Sequence, residues 1–146
     1  MTSLPSLRVG ADCSVLFDGE RGPVTLRVSP RTLVARHWPK GQPGPLQLER
    51  AIDEVEDAIE EAGLSHADRG LLYATESLRH VLPQRFNASA QFSREDVEAE
   101  FTRLVTVPST VGLDAELAWT SETAAALLLL RELMHHLGFA ALSTQP

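Results

Sequence analysis

The chain has little of several residues that functional motifs often need. Its 146 residues include one cysteine, Cys13. A single thiol excludes an internal disulfide framework and every zinc site built on paired cysteines. Lysine occurs once, at Lys40, and the other 12 basic residues are arginines. Asn87 is the only asparagine, and Ile52 and Ile59 are the only isoleucines. One cause accounts for all three shortages, a GC-rich bacterial genome, so the arginine excess is weak evidence for phosphate binding. Long apolar runs are also missing. The longest, residues 124–130, has seven residues, where a membrane span needs about 20. Residues 1–7 lack the basic start and apolar core of a secretory leader, so a cytoplasmic location without membrane contact is expected. No serine sits in a glycine elbow, and Gly19 and Gly22 read as hairpin glycines rather than a phosphate cradle. There is no internal repeat and no low-complexity tract.

What is present reads as an ordinary globular chain, with 43% hydrophobic and 23% charged residues. The length suits one domain, residues 1–146, with a core large enough to fold without a metal. The net charge of −7 hides an asymmetry. Residues 1–44 carry six basic residues against three acids, and residues 45–146 carry seven arginines against 17 carboxylates. The composition changes at the same place. Residues 39–45 read Pro-Lys-Gly-Gln-Pro-Gly-Pro, which no helix interior or central strand accepts. They read as a joint between a sheet layer, residues 1–38, and a mostly helical layer, residues 46–146.

Val9, Ala11, Cys13, Val15 and Phe17 alternate with Arg8, Gly10, Asp12 and Ser14, which predicts one strand over residues 8–17. Turn residues 18–22 then lead to a second alternation, Val24, Leu26 and Val28, so a hairpin is expected. Ser29-Pro30 interrupts it, and residues 32–38 predict a third strand. Beyond the joint the period becomes helical. Leu48, Ile52, Val55, Ile59 and Ala62 form one stripe, with Pro45 suited to its start and Gly63 to its stop. Ala67, Leu71, Ala74, Leu78 and Val81 predict a second helix, capped by Ser65 and Asp68 and ended by Pro83. Residues 84–92 read as a loop. Ser93 with Asp96 caps a third helix through Val97, Phe101 and Leu104, with residues 105–107 either continuing it or forming a strand. A last helix begins between Asp114 and Ser121 and stops near Gly138. The expected fold is α+β: a two- or three-stranded antiparallel meander packed against about four helices.

The last helix is apolar nearly all round through Leu130. Such a helix is either the centre of the core or part of an interface, and a homodimer through residues 121–137 is expected. Glu132 and His135 share a helix face at three-residue spacing and could hold a metal with Glu76 and His80. Histidines in a last turn are as well explained by the helix dipole. Asp12 and Asp18 resemble the acidic strand residues of nucleases and phosphotransferases, but no third acid is placed beside them. Asp53, Glu56, Asp57 and Glu60 belong to a helix face of seven carboxylates, which could dock a basic protein and would repel nucleic acid. Arg8, Arg27 and Arg36 with Trp38 form a candidate anion site on the outer sheet face, unless they pair with carboxylates of the helical layer. No cofactor is implied. The function expected from these features is a non-catalytic contact protein, an accessory, adaptor or regulator. A metal-dependent enzyme and an anion- or ligand-binding module are the alternatives.

Overall fold

The N-terminal alternation resolves into two strands. In the computed structural model, which describes residues 4–19, 22–87, 91–106 and 121–145, β1 (Ser6–Val9) and β2 (Ser14–Phe17) pair antiparallel around residues 10–13. The Gly10 amide donates to the Cys13 carbonyl at 2.9 Å and closes that turn. Four turn residues shift the parity of everything after them. Leu7, Ser14 and Leu16 are buried, while Phe17 stays 40% exposed on the outer face. The expected inward set is corrected accordingly. The hairpin at residues 18–22 leads as expected to β3 (Pro23–Leu26), antiparallel to β2.

Residues 32–38 are not a strand. Ser29-Pro30 opens α1 (Pro30–His37). The Ser29 hydroxyl accepts from the Thr32 amide at 3.2 Å, and the Thr32 hydroxyl accepts from the Ser29 amide at 2.9 Å. Serine at the cap and proline at the first helical position are helix-start chemistry, and here they outweigh the β-branched residues that follow. α2 (Pro45–Glu61) forms where expected and buries Ala51, Val55, Ala58 and Ile59.

The second expected helix is largely overturned. Residues 69–74 form β4 (Arg69–Ala74), and only α3 (Glu76–Arg79) is helical. Strand partners on both sides decide this, because β1 and β6 give β4 two ladders that a helix would forfeit. The expected loop at residues 84–92 contains a 3₁₀ turn (Gln84–Asn87) and the start of β5 (Gln91–Ser93). α4 (Arg94–Thr106) carries the expected cap, with the Ser93 amide on Asp96 and the Asp96 amide on Ser93. Residue 107 and the earliest expected start of the last helix lie outside the described residues. α5 (Ser121–Leu137) ends at Gly138, whose φ of +83° suits glycine. A Cβ there would fall 2.0 Å from the Ala67 carbonyl oxygen. The chain then adds β6 (Phe139–Ser143), which the sequence pattern did not predict.

The six strands form one sheet in the order β3-β2-β1-β4-β6-β5. It is mixed: β4 runs parallel to β1 and to β6, and the other pairs are antiparallel. Strands from both halves of the chain share it, so the α+β class holds while the small antiparallel meander becomes half of a larger sheet. α5 packs against α1, α2, α4 and β6. Residues 124–130 are all fully buried within the single chain. The uncovered apolar patch that motivated a dimer through residues 121–137 is therefore absent, and α5 is the centre of the core. Among the described residues, no helix is long and apolar enough to cross a membrane.

Candidate functional site

Parallel sheets place ligands outside the carboxyl ends of their strands, where the chain leaves adjacent strands in opposite directions. That point here lies between β1 and β4. After β1 the chain goes outward through β2 to the β3 edge, and after β4 it goes to the other side. The two strand ends are stitched together. The Thr75 amide and hydroxyl both donate to the Leu7 carbonyl, at 3.2 and 2.9 Å. The Val9 amide donates to the Ser77 hydroxyl at 3.1 Å. This framework holds two loop segments side by side, residues 10–13 and residues 75–77.

The side chains offered there suit work on a charged substrate. Asp12 is exposed in the β1–β2 turn, and Glu76 is exposed at the start of α3. His80 Nε2 lies 3.4 Å from Glu76 Oε1, with both side chains open to solvent. Arg79 is held rigidly behind them. Its Nη1 donates to the Tyr73 hydroxyl at 2.7 Å and reaches the Ala74 and Thr144 carbonyls at 3.2 and 3.3 Å. Together these residues provide two carboxylates, an imidazole, a hydroxyl and a fixed cation.

The same edge continues beyond β6 into a groove of about 340 Å³, lined by Arg85, Phe86, Gln91, Phe92, Glu100 and Arg103 among others. Glu100 is buried on α4 and accepts from Arg85 at 2.8 Å and from Arg103 at 2.7 Å. The Glu100 hydrogen bond raises the pKa of Arg103 above its ordinary value, so its charge is secure.

The other residues singled out from the sequence are spread over the molecule. Glu76 and His80 fall at the strand ends just described. Glu132 is buried in α5, and His135 is exposed. Glu132 lies instead 3.4 Å from His136, which is also 3.4 Å from Glu56 of α2. Among the described residues, that trio is the one acidic and histidine cluster with ligand atoms within 4.8 Å of one another. The metal set drawn from Glu76, His80, Glu132 and His135 is not brought together. Asp53, Glu56, Asp57 and Glu60 are exposed on α2. Of the arginine set, Arg27 pairs with Glu61 at 3.3 Å and Arg36 with Glu54 at 3.1 Å, the pairing with helical carboxylates weighed above. Arg36 lies on α1 rather than on a strand, and Trp38 is buried with its indole N–H on the Ser121 carbonyl at 3.2 Å. Arg8 alone of the four remains on the outer sheet face.

Sequence reasoning missed Thr75, Ser77, Arg79, Arg85 and Arg103. One signal was available. A glycine inside an alternating run, Gly10, marks a break or close approach, and reading it as a turn would have put Asp12 at a strand end.

No family model matches the sequence, and no curated protein matches it. The fold does have counterparts among solved structures. It is similar to a PPX-GPPA enzyme of Aquifex aeolicus, with a TM-score of 0.74 and 9% identity over 97% of this chain and 52% of that one. An exopolyphosphatase from Cytophaga hutchinsonii matches with a TM-score of 0.69 and 10% identity, over 96% of this chain and 52% of that one. An exopolyphosphatase-like protein matches with a TM-score of 0.67 and 11% identity, over 92% and 50%. The chain thus spans about half the length of the structures it resembles. These matches overturn the expectation of a non-catalytic contact protein: the architecture is one found in a Ppx/GppA phosphatase and in an exopolyphosphatase.

Proposed function

We propose that this chain binds a phosphoanhydride, inorganic polyphosphate or a similar phosphate chain, and removes orthophosphate from it in the bacterial cytoplasm. The observation that carries this reading is the placement of Asp12, Glu76, Ser77, Arg79 and His80 at the carboxyl ends of β1 and β4, in a fold similar to solved exopolyphosphatases. Hydrolysis of a phosphoanhydride is largely a matter of positioning and charge stabilisation. Water attacks the terminal phosphorus, the bridging P–O bond breaks, and orthophosphate leaves a chain shorter by one unit. Asp12 and Glu76 would repel a phosphate chain by themselves. These two carboxylates would hold a divalent cation, which would supply the positive charge that a phosphate chain needs there. His80, beside Glu76, carries the proton, and Arg79 supplies a fixed positive charge behind the reacting group. The lone cysteine agrees with a reducing compartment.

The test is orthophosphate release from polyphosphate with and without Mg²⁺. Release that needs Mg²⁺ and falls at least about 100-fold in Asp12→Asn and Glu76→Gln is expected. Absence of orthophosphate release by the wild-type protein in Mg²⁺ would overturn the reading.

A further inference from the structure

We infer that the groove between the 3₁₀ turn, β5 and α4 is a second anion site, which takes a phosphate-type oxyanion on Arg85 and Arg103. Both guanidinium groups are fixed on one carboxylate: Arg85 Nη1 donates to Glu100 Oε2 at 2.8 Å, and Arg103 Nη2 donates to Glu100 Oε1 at 2.7 Å. The Glu100 side chain is only 5% exposed, while those of Arg85 and Arg103 are 61% and 44% exposed. One carboxylate offsets one guanidinium, so the trio keeps a net positive charge. Each guanidinium has five donors, and Glu100 takes one from each. The remaining forked donors belong to side chains that line an open groove of about 340 Å³, room for a phosphate group and its neighbour. The wall also holds Asp96, which accepts from the Ser93 amide at 2.9 Å and adds a second carboxylate, so attraction rests on the forked arginine donors rather than on the net charge of the lining. Phe86 and Phe92 meet edge to face at 4.4 Å between centroids and support the groove wall. Arginines held in place lose little freedom on binding and match the geometry of a phosphate.

The groove also connects to the strand ends. Arg79 reaches the Thr144 carbonyl, and the Thr144 hydroxyl donates to the Phe86 carbonyl at 3.0 Å, next to Arg85. Gln91 lies opposite Ser143 in the β5–β6 register, so the groove opens at the same end of the sheet. These bonds link Arg79, at the carboxyl end of β4, to Phe86 in the groove wall beside Arg85. The ligand class that fits is an extended polyanion whose distal phosphates rest in the groove. This extension rests on the phosphoanhydride reading; the oxyanion site itself does not.

Pyrophosphate and tripolyphosphate titrated into ¹⁵N-labelled wild-type protein test the site without any activity. Saturable shifts of the Arg85 and Arg103 Nε–H resonances are expected. Arg85→Gln, which leaves Arg103 on Glu100, should weaken tripolyphosphate binding roughly tenfold, the loss of one charged hydrogen bond. Shifts confined to other residues, or unchanged affinity in folded Arg85→Gln, would overturn the site; if that variant does not fold, the wild-type shifts decide. In turnover, Arg85→Gln should raise KM for long chains and leave pyrophosphate unaffected, and an equal effect on both would sink the extended-chain part. Groove shifts without any orthophosphate release would sink the hydrolase reading and leave this site standing.

Discussion

The two ends of the parallel strands are built to opposite rules. At the amino end the pair Arg69 and Asp18 is used internally. Arg69 and Asp18 are each about 14% exposed and meet at 3.0 Å. The Arg69 guanidinium also donates to the Ser65 and Leu137 carbonyls, and it lies 5.7 Å over the Phe139 ring. At the carboxyl end Glu76 and His80 are 80% and 73% exposed and lie 3.4 Å from each other. A buried charge with its polar atoms met inside the fold binds nothing else, whereas exposed groups, and exposed arginines with donors to spare, are available to a ligand. The contrast teaches that the exposed charges of the carboxyl end contribute little stability and stay open to a ligand.

That contrast can be broken by substitution. The largest effect should come from Arg69→Ala, which strands Asp18 in a nearly buried position. A loss of about 3 kcal/mol or more is expected from urea unfolding, and a loss under 1 kcal/mol would show the amino end to be as loosely built as the other. Gly138→Ala should follow at about 2–3 kcal/mol, since it combines a positive φ with a clash against the Ala67 backbone. Thr75→Val removes a hydroxyl donor to the Leu7 carbonyl. It should cost about 1 kcal/mol and, by loosening the frame, lower orthophosphate release as well. The smallest stability change belongs to Asp12→Asn and Glu76→Gln, within about 0.5 kcal/mol, although these variants should lose the most activity. A melting temperature that fell in them as far as in Arg69→Ala would erase the distinction between the two ends.

How far the sequence carried varies by element, for physical reasons. α2 was legible because its stripe, its starting proline and its closing glycine agree with one another. α4 was legible through the reciprocal cap of Ser93 and Asp96. β4 was not. Residues 67–81 carry a helical spacing of apolar residues, and the strand exists because β1 and β6 flank it. α1 was missed although Ser29-Pro30 is a helix start, because the alternating pattern on both sides of it suggested a continuing strand. Of the proposed site, Glu76 and His80 were visible as candidates on the wrong element, and Asp12 was visible without a neighbour. Ser77 and Arg79 gave no signal, since neither belongs to a motif of fixed spacing.

By itself the sequence determined the α+β class, the helices α2 and α4, the hairpin between β2 and β3 and the exclusion of internal disulfides and paired-cysteine zinc sites. Each of these rests on interactions between residues close in the chain or on simple composition. The tertiary structure decided the order of the strands, the burial of α5, the pairing of Arg27 and Arg36 with acidic helix residues, and the meeting of residues 10–13 with residues 75–77. Those depend on contacts between segments far apart in the chain, such as the Val9 amide on the Ser77 hydroxyl, 68 residues away, and the Trp38 indole on the Ser121 carbonyl, 83 residues away. Local periodicity cannot encode them, because which strands become neighbours is settled by burying all the apolar faces at once.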